Sequence, residues 1–339
     1  MTSPLPPHAK IALLICDPTS QDFIDGYGNI TNLFTSLYTR FLLRLAGDQE
    51  VSPAGVPALP GPVVVSSFNI DTYRAIDGEL PTNVDEYNSI IVSGSGHSAN
   101  DTDAWIGKLA EFLNDTAVRH PKVRLIGVCF GHQIISRSVF AGKLEVGVNP
   151  KGWEIGPYNV TLNAVGKRLF TGATSLNIEM FHHDAVFKVP TFRSVPKDTP
   201  HIWGSSEKTT CQGIISLYED AEDRGKLDVD NIHIFTSQGH PELSQGMTLD
   251  LLNLYEEEVG PEAVKEARAR IDNFKGTIDW YQLTKLMWAI STRHTIDLPA
   301  SGGEDDLTAD DEETPKVEAP KVEWSKLKKS NEGVFVLVL

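Results

Sequence analysis

The chain has 339 residues, 40% of them apolar, and a formal net charge of −16. That size and apolar content suffice for one large core, or one core with appendages, while the negative charge argues against nucleic acid or an anionic membrane as partner. Cys16, Cys129 and Cys211 form no disulfide framework, no apolar run approaches the roughly 20 residues of a bilayer span, and the Met-Thr-Ser-Pro start lacks the basic and apolar regions of a signal peptide, so a cytoplasmic protein is expected.

Lys10 to Cys16 is a compact apolar run that predicts a central parallel strand. Asn29 to Leu45 repeats its apolar residues at helical spacing, residues 51–62 are Pro-rich and read as a loop, and Val63 to Phe68 reads as the next strand. Ile90-Ile91-Val92 is a short strand running into the small-residue loop Ser93-Gly-Ser-Gly-His-Ser98, and Ala104 to His120 is an amphipathic helix. The strand Val123 to Val128 follows. Repeated strand-then-helix order predicts an α/β fold with a mostly parallel, doubly wound sheet covered by helices on both faces. From 153 to 239 the pattern turns to strands: Tyr158 to Leu162, Ala185 to Val189, His201 to Ser205, Gly213 to Tyr218 and His233 to Thr236. Met247 to His294 reads as helical. Residues 304–323 are rich in Asp and Glu and read as a flexible linker, and the apolar end, Val334 to Leu339, suits either an edge strand or a loose tail.

The chemistry concentrates at Gly127-Val-Cys129-Phe-Gly131-His132-Gln133. An apolar strand ends at a nucleophile flanked by glycines, and the buried helix Ile134 to Phe140 follows, which is the G-x-[nucleophile]-x-G elbow with Cys for Ser. Glycines permit the tight turn, and the helix N-terminus favours a thiolate. A buried structural cysteine is the bland alternative. Far downstream, the strand Ile232 to Thr236 runs into His240-Pro241-Glu242. In extended chain, residues i and i+2 face the same side. Glu242 can therefore hold one imidazole nitrogen of His240 while the other faces Cys129, the nucleophile–base–orienter logic of acyl transfer.

With those motifs in place, residues 10–250 resemble a class I glutamine amidotransferase of the Cys-His-Glu type, and more narrowly the stand-alone fungal and yeast-type members. The resemblance implies a flavodoxin-like catalytic domain over 1–250, here followed by a helical extension over 251–295 and an acidic linker with an apolar tail over 296–339. It implies Cys129, His240 and Glu242 as the triad, and an oxyanion hole from the backbone N–H of Phe130 and of Gly94 or Ser95. This chain has Gly96 where the family's proline would sit. The segment Glu179-Met-Phe-His-His-Asp184 resembles the family's substrate-binding Ser-His-Gly-Asp, giving His182 and Asp184, with Gln133, as substrate-binding residues. Phe181 and His183 narrow that part of the pocket. Asp17 to Tyr38 resembles a rim or lid segment of the stand-alone branch.

The implied activity is cleavage of a glutamine or γ-glutamyl amide through a Cys129 thioester, releasing ammonia or an amine to water or to a separate synthase partner. No cofactor is expected. A metal at His182, His183 and Asp184 is disfavoured, because adjacent histidines on a strand face opposite sides. His132 is expected to pack and hydrogen-bond rather than act as a base. A γ-glutamyl peptidase-type hydrolase is the near alternative, and a non-catalytic scaffold or regulatory module the distant one.

Overall fold

The structure, a computed structural model, describes residues 8–50, 64–188, 200–218, 229–293, 327–329 and 335–338. Strand β1 (His8–Ile15) opens it, followed by helices α1 (Gln21–Tyr27) and α2 (Ile30–Glu50) and strand β2 (Val64–Arg74). Next come β3 (Ser89–Val92), α3 (Ala104–Arg119), β4 (Arg124–Val128) and α4 (Phe130–Val139), in the expected alternation. β5 (Leu144–Val148), β6 (Glu154–Leu162), α5 (Ala164–Leu169), β7 (Ser175–His182) and β8 (Asp184–Lys188) then form a β-rich middle. β9 (His201–Ile202), β10 (Gly204–Ser205), β11 (Ile214–Leu217) and β12 (Ile232–Ser237) follow. Helices α6 (Gln245–Leu254), α7 (Glu256–Val259), α8 (Pro261–Asn273) and α9 (Trp280–Thr292) come next, and β13 (Leu327–Lys329) and β14 (Phe335–Val338) are last.

Among the described residues the main sheet runs β13-β14-β2-β1-β3-β4-β12-β11-β9. Its five central strands, β2 through β12, are parallel, and those outside them are antiparallel. Both faces are apolar because both are covered. In β1, Ala9, Ile11, Leu13 and Ile15 join one core, with Phe34, Leu37 and Phe41 of α2 and Leu286 and Trp288 of α9. Ala12 and Leu14 join the other, with Ile106, Leu109 and Leu113 of α3 and Ile134 and Ile135 of α4. A near-continuous hydrophobic run is what a strand buried on both faces requires. The fold is therefore the mostly parallel, doubly wound α/β sheet that the alternation implied, with helices after the catalytic-type motifs.

Two smaller sheets, β10-β6-β7 and β5-β8, stand beside the main one. β6 starts at Glu154, ahead of the expected Tyr158, and pairs along its length with β7, which sequence patterning missed. The expected single strand His201 to Ser205 is two strands in different sheets, split at Trp203. That side chain is fully buried and its indole N–H donates to the Thr236 carbonyl, so the chain turns from one sheet into the next around it. At the other end, Phe335↔Phe68 and Val336↔Ser67 pair β14 antiparallel to β2, the edge-strand alternative for the apolar end. The Pro-rich loop at 51–62 and the acidic stretch at 304–323 lie outside the described residues. No helix among those described is long and apolar enough to cross a membrane.

Candidate active site

The loops that leave β1, β3, β4 and β12 at their C-terminal ends meet on one side of the sheet, the usual place for a site in a parallel sheet. They carry Asp17, Gly94, Cys129 and His240. Cys129 sits at the β4-to-α4 turn with φ 53° and ψ −108°, a conformation that costs a non-glycine residue about 1–3 kcal/mol. Its surroundings hold it there: its N–H donates to Ser237 O at 2.9 Å and its carbonyl accepts from Gln133 N–H at 3.1 Å. The flanking glycines have a steric reason. A Cβ on Gly127 would lie 2.5 Å from the Gly131 carbonyl oxygen, and one on Gly131 would lie 2.2 Å from that of Val92.

β12 delivers His240 to the same place. Its N–H donates to the Glu179 carbonyl at 2.8 Å, and its Nδ1 lies 2.7 Å from Glu242 Oε1. Burial alone would lower the pKa of His240. The charges of Glu242 and of Cys129, and the hydrogen bond to Glu242, outweigh that and hold it well above the ordinary value. A Cβ on Gly94 would stand 3.0 Å from His240 Cε1 and 3.6 Å from Cys129 Cβ, so the imidazole and the cysteine close on one point that only glycine leaves free. Cys129, His240 and Glu242, drawn from two separate stretches of chain, are thus one buried cluster.

The Gly94-Ser95 loop is fixed by side chains. Ser93 Oγ accepts from Cys16 N–H and donates to Gly94 O, both at 3.0 Å, and His97 N–H donates to Ser95 Oγ. Gly96 N–H donates to Asp17 Oδ2 at 2.8 Å, a bond that a proline at 96 could not make. Opposite it, Phe130 begins α4, where first-turn N–H groups have no partner within the helix.

The three expected substrate-binding residues line the same cavity, of about 280 Å³. Two of them spend their polar atoms on protein. Gln133 Nε2 donates to Asp184 O at 3.0 Å and to Gln238 Oε1 at 3.2 Å. His182 Nε2 is 3.0 Å from Glu154 Oε2 and its Nδ1 is 2.9 Å from Asp184 O. Both braces hold the β7–β8 turn. The Asp184 carboxylate accepts from Ser98 Oγ at 2.5 Å and is only half-buried, so it remains available to the cavity. His183 turns away from His182 and stacks on Trp153 with ring centroids 4.8 Å apart. His132 is fully buried, with Nδ1 2.7 Å from Thr236 Oγ1; burial first, and nearby His182 second, push its pKa down to about 3.

Sequence patterning missed two buried acids. Glu154 opposes His182, and although burial works against ionisation, His182 and two hydroxyls bring its pKa down to about 2. Glu179 lies next to the His240 backbone; Thr248 Oγ1 donates to its Oε2 at 2.9 Å while Oε1 has no partner. Burial, only partly offset by Thr248 and His240, raises its pKa to about 7. The Asp17 to Tyr38 segment does line the cavity, through Asp17, Phe23, Leu33 and Phe34 among others.

No family model matches the chain. Single proteins do. It is 32% identical to γ-glutamyl peptidase 2 of Arabidopsis thaliana over 249 residues, 72% of this chain and 80% of that protein. A provisionally named glutamine amidotransferase of Saccharomyces cerevisiae is 35% identical over 188 residues, 51% of this chain and 64% of the yeast protein, just under two thirds of its length. In fold, the crystal structure of a glutamine amidotransferase from Methylobacillus flagellatus superposes with a TM-score of 0.51 at 16% identity, over 86% of this chain and 98% of that one. The identity to γ-glutamyl peptidase 2, over most of both chains, places the chain in the class I glutamine amidotransferase-like family.

Proposed function

We propose that this chain hydrolyses γ-glutamyl amides through a thioester on Cys129. The observation that carries the reading is the convergence of Cys129, His240 and Glu242 at Gly94, with Glu242 already 2.7 Å from the far nitrogen of the imidazole. Glutamine amidotransferase and γ-glutamyl peptidase relatives support the same bond type.

In the acylation half, Cys129 Sγ attacks the γ-carbonyl carbon as His240 Nε2 takes the thiol proton. Glu242 accepts from Nδ1–H and stabilises the imidazolium so formed. The carbonyl oxygen gains negative charge and is met by the N–H of Phe130 and of Gly94 or Ser95. A donor of this kind is worth roughly 3–4 kcal/mol, because it acts on charge present only in the transition state. The C–N bond then breaks, His240 returns its proton to the leaving nitrogen, and ammonia or an amine departs. In the second half His240 takes a proton from water, the hydroxide adds to the thioester, and collapse expels the Cys129 thiolate, which recovers the proton from His240. Glutamate is the product. Asp184 faces the cavity with a carboxylate suited to the glutamyl α-ammonium, while Gln133 and His182 keep the turn beneath it in place. A separate synthase partner that takes up the released ammonia would turn this hydrolysis into amidotransfer.

The test follows glutamate release from glutamine and from γ-glutamyl dipeptides. Wild-type protein should turn over at least one of them, and Cys129→Ala should lower kcat by about a thousandfold or more. Acid quench of the wild type with substrate should leave a glutamyl adduct on the peptide containing Cys129. A Cys129→Ala protein as active as wild type would sink the mechanism.

A further inference from the structure

The cavity has two unlike halves. Around Cys129 it is polar, with Ser95, His97, Gln133 and Asp184. Away from it the wall is apolar: Phe23 of α1, Leu33 and Phe34 of α2, Leu243, and Leu251 and Leu254 of α6. Phe23, Leu33 and Leu243 form their own small packed cluster, with Tyr27, Met247 and Leu251 against it, so this wall is built rather than incidental. Leu254 nevertheless stays 46% exposed at the mouth.

The charges on this outer half are of one sign. Glu258 and Asp17, the latter reaching back to accept from Gly96 N–H, line the cavity near Tyr255, and after burial their charges push the Tyr255 hydroxyl up in pKa. Among the described residues lining the cavity there is no lysine or arginine. A γ-glutamyl substrate places its glutamyl half at Cys129 and Asp184 and its leaving amine in this outer half. An apolar body there would be buried against the wall, whereas a carboxylate there would face acids and no fixed cation.

Resting on the γ-glutamyl hydrolase reading, we propose that the preferred leaving group is an apolar amine without a carboxylate, an aryl- or aralkylamine seated against Phe23, Leu33, Leu243 and Leu251. Ammonia leaves that wall unused, and an amino acid brings its carboxylate to the acidic rim.

Three substrates separate the cases: γ-glutamyl phenethylamide, γ-glutamyl phenylalanine, which is the same body plus one carboxylate, and glutamine, which has no body. The wild-type kcat/KM for the phenethylamide should exceed each of the others by about tenfold or more. Glu258→Lys, a change at an exposed rim position, should raise γ-glutamyl phenylalanine relative to the phenethylamide several-fold. Equal or faster turnover of γ-glutamyl phenylalanine or glutamine overturns the preference and leaves the hydrolase reading standing. An unchanged ratio in Glu258→Lys overturns the electrostatic half of the argument. If folded protein with a free Cys129 thiol cleaves none of the three, the hydrolase reading itself fails, and this inference with it.

Discussion

Glu179 is the residue whose position most directly links stability to the site. It is a fully buried carboxyl with one unpartnered oxygen, and its own carbonyl receives the N–H of His240. Its pKa is raised from 4.5 to about 7, chiefly by burial. The folded protein therefore holds this proton more tightly than the unfolded chain does. The stability it confers is complete below about pH 4.5 and is lost as pH rises through about 7. At about 1.4 kcal/mol per unit, the loss approaches 3 kcal/mol by pH 8. Glu179→Gln keeps the acceptor for Thr248 and cannot ionise, so the difference in unfolding free energy between variant and wild type should grow in the variant's favour from pH 5 to pH 8. Urea titrations at both pH values measure it, and a pH-independent difference would show that Glu179 does not titrate in this range. Nothing in the sequence pointed to this role. Cys129, His240 and Glu242 were legible because each lies in a short motif at a strand end, with glycines or a spacing of two to say which way it faces. Glu179 and Glu154 are single acids within strands, and their partners Thr248 and His182 come from other elements.

At the scale of elements, sequence patterning read the parallel strands and their covering helices well, because burial on two faces leaves a strong signal in strands such as Ile11 to Ile15. It failed where structure depends on pairing at a distance. β7 alternates polar and apolar residues over only part of its length, and β9 and β10 are two-residue strands whose separation is set by Trp203. The late helices are a subtler case. α6 spans position 250, where the expected catalytic domain ends, and α9 is embedded in the core that α2 and β1 build. Trp288 of α9 is fully buried, with its ring 5.7 Å from Tyr38, 6.2 Å from Phe41 and 6.3 Å from Phe68. If α9 is part of the folding unit, Trp288→Ala should cost about 3–5 kcal/mol in a single cooperative transition. The exposed Val118→Ala on α3 should cost no more than about 0.5. A first, separate transition in Trp288→Ala, with the catalytic cluster still intact by its activity, would instead mark residues after α6 as an independent appendage.

Over the whole molecule, 46 acids against 30 lysines and arginines leave a field that the cavity shares, since Asp17, Asp184, Glu242 and Glu258 line it and no lysine or arginine among the described residues does. Such a field lowers the local concentration of anions, over a range of about 10 Å at 0.1 M salt. Alkylation of Cys129 reads this without relying on turnover. Iodoacetamide and iodoacetate deliver nearly the same group to sulfur and differ by one negative charge. Cys16 and Cys211 add little background: both are buried and their thiols are raised, that of Cys211 to about 12. With each rate normalised to that of 2-mercaptoethanol, iodoacetamide should modify Cys129 several-fold faster than iodoacetate at about 20 mM salt, and the ratio should fall as salt rises to about 0.5 M. The remaining excess at high salt reports the acids nearest the sulfur, which salt screens least. A ratio near one at low salt, or one that salt does not move, would mean that the −16 of the chain is not felt at the cavity, and that its selectivity among amides is set by shape alone.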